Sequence, residues 1–168
     1  MFTTVDGFLK TWKFEHEGTS KLFSVLTDAS LAQAVTPEGR TLGRLAWHIT
    51  TTIPEMMART GLHLEGPAEH APVPTSARAI ATAYEQAASS LAKAIRESWT
   101  DATLDVKDDM YGGEKWTRGV TLGALVGHQT HHRGQLTVLM RQAGLMVPGL
   151  FGPAREEWAH MGMPPPEI

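Results

Sequence analysis

The 168-residue chain contains no cysteine. Disulfide bonds, thiolate zinc sites and a cysteine nucleophile are therefore excluded. Any metal ion must be bound by histidine, aspartate or glutamate, and the sequence holds eight histidines. The position of these histidines is therefore the first question about function.

The chain also lacks an excess of basic charge and a long apolar run. Its formal charge is −3 at pH 7 and its basic residues are scattered, so we do not expect it to bind nucleic acid. No apolar run approaches the roughly 18–20 residues that cross a bilayer, and no basic segment followed by an apolar one stands at the N-terminus. We therefore expect a cytoplasmic protein without a membrane partner, folded as one domain over residues 1–168.

Apolar residues recur at intervals of three and four in separate segments, which predicts amphipathic helices. The predicted helices span residues 3–27, 41–61, 76–98 and 121–143. The proline-rich residues 62–74 form a long crossover between helices 2 and 3 that cannot be regular helix. The pattern predicts an all-α four-helix bundle.

Two further segments lie outside these helices. Residues 99–118 contain the pair Gly112-Gly113, and we expect either a loop or a small hairpin that turns at the glycines. The tail, residues 145–168, is rich in proline and glycine. It is predicted to be a C-terminal covering segment with a short helix over residues 154–161.

One octapeptide pattern occurs twice in the chain. TLGRLAWH at 41–48 and TLGALVGH at 121–128 share Thr, Leu, Gly, Leu and His at the same five positions. In each copy the threonine is a candidate N-cap, and the histidine follows ~10 Å along the helix axis. If helices 1–2 and 3–4 form two hairpins related by an approximate twofold axis, His48 and His128 approach each other inside the bundle.

The second copy continues with two more histidines, His131 and His132. Residues four apart on a helix lie about 40° apart around its axis, so His128 and His132 can bind one ion. His131 is displaced a further ~100° toward solvent. The sequence therefore predicts a metal site formed by His48, His128 and His132. The alternative is a plain helical scaffold, in which these histidines are incidental.

Three imidazole ligands restrict the metal and its chemistry. Imidazole suits zinc, nickel, copper or iron(II), and three such ligands leave coordination positions open. We expect zinc or nickel first, with iron or manganese as alternatives. Such an ion can lower the pKa of a bound water toward ~7 for hydrolysis. It can equally deprotonate a thiol for transfer to an electrophile. Because the chain has no cysteine, that thiol would be a separate small molecule.

Polar residues interrupt the apolar faces of helices 1 and 4. Glu15 and His16 stand where core residues are due. If they face the bundle interior, one of them can act as a catalytic base or support the metal ligands. The alternative is that helix 1 rotates slightly and both side chains reach solvent. Gln129 and Arg133 lie near the centre of the helix 4 apolar face. Arg133 needs a partner, since an unpaired buried charge costs several kcal/mol, and we expect either Glu15 or a dimer interface to supply it.

Three segments carry a family resemblance: Trp47-His48, the H-x-x-x-H-R-G-Q-L run of 128–136 and G-L-x-V-P-x-L-F-G-P at 144–153. They resemble the DinB/YfiT-like family of small bacterial metal-binding proteins, which is unrelated to the DNA polymerase that shares the DinB name. The resemblance implies an up-down-down-up helix order and a homodimer. It also implies a divalent metal on the histidines that match His48, His128 and His132.

The same resemblance implies a class of reaction. Relatives in this superfamily include transferases and isomerases that use low-molecular-weight thiols, whereas many members have no assigned reaction. We therefore expect a metal-dependent enzyme that transfers a small thiol to a small-molecule electrophile. The alternatives are a metal-dependent hydrolase and a non-catalytic metal-binding stress-response protein.

Overall fold

A computed structural model describes residues 1–165 and residue 167. Long helices form most of the structure, as the sequence predicts. They are α1 (Val5–Ser24), α2 (Leu42–Ala58), α3 (Ala77–Ser98) and α4 (Arg118–Gln142). Short 3₁₀ helices stand at Asp28–Ala32, Asp101–Asp105, Tyr111–Gly113 and Arg155–Met161. No helix in the described part of the chain is long and apolar enough to cross a membrane.

Each long helix packs chiefly against two others. Helix α1 contacts α3 and α4, and α2 contacts the same two helices. Every long helix contributes fully buried side chains to one core, for example Phe8, Ile53, Leu91 and Leu136. These residues occupy the apolar positions from which the helices were predicted, so burial of the apolar faces holds the helices together.

The two copies of the octapeptide enter their helices differently. Thr41 is the N-cap of α2, and its hydroxyl accepts a hydrogen bond from the backbone N–H of Arg44 at 3.1 Å. In α4 the N-cap is Thr117, which accepts from the N–H of Val120 at 3.3 Å. Thr121 is buried in the first turn. The prediction that Thr121 caps helix 4 was therefore wrong, because an earlier threonine already satisfies the helix start.

A small antiparallel hairpin precedes α4. Strand β1 (Lys107–Asp109) pairs with β2 (Lys115–Thr117). The turn between them includes Gly112 and Gly113, whose φ angles of 69° and 81° lie in the left-handed region. That region favours glycine, so the glycine pair forms the turn of a hairpin, one of the two predicted possibilities. The hairpin turn also carries Tyr111, which reaches α2.

The crossover and the tail both lie against the helices. Residues 62–74 form neither helix nor strand, as their prolines predict. In the tail, Val147 is buried in the core, and Arg155–Met161 forms a 3₁₀ helix where a short helix was predicted. The predicted tail also includes Pro166 and Ile168, which lie outside the described residues.

Candidate metal centre

The histidines predicted from the repeat come together between α2 and α4. One ring nitrogen from each of His48, His128 and His132 lies within 4.8 Å of the other two. The Nε2 atoms of His48 and His128 are 3.1 Å apart. The ring centroids are separated by 4.3, 4.7 and 4.9 Å. We call these residues the histidine cluster.

The cluster fits a divalent metal ion in both spacing and charge. Two nitrogens bound tetrahedrally to zinc, at roughly 2.0–2.1 Å each, lie about 3.4 Å apart. The 3.1 Å between His48 and His128 is close to that separation. Burial lowers the pKa of His48 and of His128 to about 4. Both rings are therefore neutral at pH 7 and can offer a lone pair to a metal.

Gln135 orients the third histidine. Its Oε1 accepts a hydrogen bond from Nδ1 of His132 at 2.7 Å, which places the lone pair of that ring on Nε2. Its amide Nε2 donates to Nε2 of the exposed His131 at 3.1 Å. Burial, followed by charges that include Arg40, also lowers the pKa of His132. The sequence pattern did not single out Gln135, although its three-residue spacing from His132 on one helix could have indicated the contact.

His131 and His16 lie outside the histidine cluster. His131 is exposed on α4, as the helical geometry predicts. His16 is half-buried, and its Nε2 lies 2.7 Å from a carboxylate oxygen of Glu85 on α3. The structure therefore joins His16 to α3 and not to the other histidines.

Glu15 is the partner that Arg133 requires. Glu15 is 4% exposed, and its carboxylate forms an ion pair with the guanidinium of Arg133. Arg133 also donates to the backbone carbonyl of Glu15 at 2.9 Å and to the hydroxyl of Thr19 at 3.3 Å. We call Glu15 and Arg133 the buried ion pair. In this structure the Glu15 carboxylate contacts Arg133 and Thr130 and is not part of the histidine cluster.

A cavity of about 300 Å³ opens beside the histidine cluster, under the β-hairpin. We call it the hairpin cavity. Two histidines of the cluster stand in its wall together with residues of α2, the hairpin and α4. The lining residues are His48, Thr52, Glu55, Met56, Tyr111, Trp116, Ala124 and His128. A small molecule in this cavity would therefore lie directly against the candidate metal ligands.

Glu55 supplies a carboxylate to the hairpin cavity. Its side chain is 12% exposed. One oxygen accepts from the hydroxyl of Tyr111 at 2.6 Å, and the other accepts from Nε of Arg59 at 2.8 Å. Sequence reasoning missed Glu55 and Tyr111, because no local pattern shows that the hairpin turn folds onto α2. Each carboxylate oxygen has a second lone pair, so Glu55 can still accept a proton from a molecule in the cavity.

The whole chain is similar to one family of proteins. A model of the DinB family matches residues 1–167. The protein YrdA of Bacillus subtilis (strain 168) is 49% identical over 168 residues, which covers all of both chains. The family predicted from Trp47-His48 and the helix 4 motif is thus found independently over the full length.

Solved structures agree with this assignment. A DinB-like protein from Bacillus cereus ATCC 10987, known from its crystal structure, is 47% identical in sequence. The comparison covers 90% of this chain and 100% of that chain, with a TM-score of 0.87. The DinB-like protein YjoA of Bacillus subtilis is 21% identical, with a TM-score of 0.67 over 86% of this chain and 97% of that chain. That second likeness is one of fold. From the family match and these relatives, the chain belongs to the DinB family.

Proposed function

We propose that this protein is a metal-dependent enzyme that transfers a small thiol to an electrophile at the histidine cluster. The main support is the cluster itself, in which three imidazole nitrogens from two helices lie within 4.8 Å of one another beside a cavity. Three neutral ligands leave a metal its full positive charge and open coordination positions. Membership in the DinB family favours a thiol, because the resemblance implies relatives that use such compounds.

The ligands and their support define what each residue would do. His48, His128 and His132 would hold the ion, with zinc or nickel favoured and iron or manganese as alternatives. Gln135 would keep the lone pair of His132 on Nε2. A divalent metal, when bound, would lower the pKa of a thiol or a water molecule that binds to it.

The hairpin cavity would receive the substrate and its proton. Glu55 can accept that proton at Oε2, the oxygen that already accepts from Tyr111, and Arg59 balances the charge of the carboxylate. Met56 and Trp116 line the same cavity and reduce the access of water. We assign no catalytic role to Glu15 or His16, because Arg133 and Glu85 already engage their polar atoms.

The finer features implied by the family resemblance belong to the same proposal. We propose the up-down-down-up helix order, a homodimer and a cytoplasmic location. The α2–α4 packing around the histidine cluster is compatible with that order and does not depend on a second copy of the chain.

The second candidate function is metal-dependent hydrolysis of a small molecule. It is favoured by Glu55, since a carboxylate in a cavity that also contains His48 and His128 can take a proton from water as well as from a thiol. The two functions differ in the nucleophile and share the same ligands.

Cobalt substitution tests the choice between them. Protein purified without a polyhistidine tag is loaded with Co²⁺ and titrated with small thiols while the visible and near-ultraviolet absorption is recorded. We expect a thiolate-to-cobalt band in the wild type and in Glu55→Gln, and no band in His132→Ala. A protein that binds cobalt but shows no band with any thiol would favour hydrolysis or non-catalytic metal binding. A protein that binds no metal would overturn the site.

A further inference from the structure

A second cavity lies farther along the groove between α2 and α4. It measures about 450 Å³. On α2 the hairpin cavity is lined by residues that follow His48, whereas the second cavity is lined by Leu45, which precedes His48. On α4 the residues that line the second cavity all follow His132. The full lining is Val35, Gly39, Arg40, Leu45, Gln135, Val138 and Leu139. We call this space the arginine cavity.

The arginine cavity is one side chain away from the histidine cluster. Gln135 lines it, and the same Gln135 accepts the 2.7 Å hydrogen bond from Nδ1 of His132. The histidine cluster therefore lies between two cavities, one of which contains Glu55 and the other Arg40. Their charged groups are of opposite sign, so the two cavities are suited to different chemical groups.

Arg40 is the only charged side chain among the described residues that line this cavity. It forms no ion pair with any residue in the described part of the chain. Arg44, one turn into α2, is likewise absent from these pairs. The nearby Glu38 is exposed and does not line the cavity. An anion in the cavity would thus meet an uncompensated positive charge, although the chain as a whole carries −3.

The remaining wall is mainly hydrocarbon. Leu45 and Leu139 are buried beneath it, while Val35 and Val138 are 64% and 53% exposed. A ligand with an apolar body would cover the two valines and remove that surface from water. The volume of about 450 Å³ lies within the usual range for small-molecule sites.

We propose that the arginine cavity binds a small amphiphilic carboxylate, with its head group on Arg40 and its apolar body against Val35, Leu45 and Val138. One guanidinium matches one carboxylate through two parallel hydrogen bonds, and a more highly charged head group would be poorly balanced by a single arginine. This binding goes beyond the proposed function, because it needs no metal in the histidine cluster. The proposal assigns a class of ligand to the side of the histidine cluster that faces away from the hairpin.

Octanoate is the probe for this site. It is titrated into the full-length protein, metal-free and metal-loaded, and binding is followed by calorimetry and ligand-observed NMR. We expect saturable binding in both states. Octanol and octylamine test the head group, and both should bind more weakly than octanoate.

Two substitutions test the two halves of the cavity. Arg40→Gln removes the charge, and Val138→Asp places a negative charge on the apolar wall at an exposed position. Arg40→Gln should weaken octanoate binding by roughly tenfold or more, since it removes charge-assisted hydrogen bonds. Val138→Asp should weaken binding by a similar factor, because the new carboxylate would repel the ligand and would lose water against its apolar body. Arg78→Gln is the matched control, because Arg78 is an exposed arginine on α3, and it should leave binding unchanged. Thermal melting checks that each variant is folded.

Several results would overturn the proposal. They are the absence of saturable octanoate binding, equal binding by Arg40→Gln and the wild type, and equal or tighter binding of octylamine. Octanoate binding that appears only with metal and is lost in His132→Ala but not in Arg40→Gln would place the carboxylate on the metal. None of these results bears on the cobalt–thiol absorption, so the two proposals can fail separately.

Discussion

His132 and Arg133 are neighbours on α4, yet they belong to polar groups of opposite character. Both are buried, at 7% and 2% exposure. Arg133 faces α1 and meets the carboxylate of Glu15, so its charge is balanced inside the protein. His132 faces α2 and contacts two further imidazoles. These rings are neutral, so they form no ion pair and offer only lone pairs and N–H groups. Burial of a polar side chain alone therefore does not indicate function.

What separates the two groups is the kind of partner that their polar atoms face. Both Nη atoms of Arg133 donate to acceptors, and its guanidinium meets a carboxylate of opposite charge. In the histidine cluster the Nε2 atoms of His48 and His128 face each other at 3.1 Å. One buried nitrogen in each group, Nε of Arg133 and Nδ1 of His128, has no hydrogen-bond partner among the described residues. The buried ion pair therefore balances its own charge, whereas the histidine cluster brings together lone pairs that a metal ion could bind. The following predictions test that difference, beginning with the largest effect.

Removing one histidine should abolish metal binding. In His132→Ala only two ligands remain, and we expect no retained zinc or nickel after dialysis, measured by elemental analysis of protein without a polyhistidine tag. The matched control is His131→Ala, which should keep the metal because His131 is exposed and lies outside the cluster. Equal losses in the two variants would mean that the wrong pair was chosen.

Removing one member of the buried ion pair should instead destabilise the fold. Arg133→Met leaves the Glu15 carboxylate buried without its partner, so we expect the free energy of unfolding to fall by about 3–5 kcal/mol. Urea denaturation measures this, while the metal content of the folded fraction should stay unchanged. Lys10→Ala, which breaks an exposed ion pair with Asp6, is the control and should change stability far less, because exposed ion pairs contribute little.

A small loss in Arg133→Met would show that the pair contributes little. Loss of metal from folded Arg133→Met would show that the two polar groups are coupled and that the comparison between them fails. The double variant Glu15→Leu/Arg133→Met separates pairing from burial. It should lose less stability than the sum of the two single variants, because it leaves no unpaired charge.

Removing the hydrogen bond that orients His132 should have an intermediate effect on metal affinity. Gln135→Ala removes the acceptor of the Nδ1 hydrogen bond, and we expect metal affinity to fall by roughly 10–100-fold. Competition with a chromophoric chelator measures the change. Gln142→Ala, at an exposed position near the end of α4, is the control. Unchanged affinity in Gln135→Ala would show that the ring of His132 is held by packing alone.

A further prediction concerns pH and the metal-free protein. Burial lowers the pKa of His48 and His128 from the usual 6.5 to about 4. Between these values the unfolded chain binds protons that the folded protein does not. The contribution of these rings to stability is therefore fully present above pH 6.5 and is lost as the pH falls toward 4.

Urea denaturation across this range measures the loss. Carboxylates contribute to acid denaturation as well, so the informative quantity is the difference between the wild type and His48→Gln/His128→Gln. We expect the double variant to lose less stability as the pH falls. Identical pH dependence in both proteins would contradict burial of neutral rings at this site.

The helices and the three histidines could be predicted because both follow from helical periodicity. Spacing places His128 and His132 on one side of α4, and the repeated pattern adds His48. The same spacing turns Glu15 inward, but it does not show which interior group Glu15 meets. For that reason Glu15 was predicted both as a base and as the partner of Arg133, and the structure supplies the second contact.

Contacts between distant segments could not be predicted in this way. Tyr111 and Glu55 are 56 positions apart, and their hydrogen bond depends on how the hairpin folds over α2. The start of α4 was missed because Thr117 and Thr121 are both possible caps, and only the path of the hairpin decides between them. Helical periodicity does not describe either feature.

The separation of the ligands along the chain has a kinetic consequence. His48 and His128 are 80 positions apart, so one metal held by both would cross-link α2 and α4 in a chain that has no cysteine to form a covalent link. The helices could not separate before the ion left. Unfolding of the loaded protein would then be limited by the rate of metal release. Removal of the metal by a chelator would shorten the lifetime of the folded state.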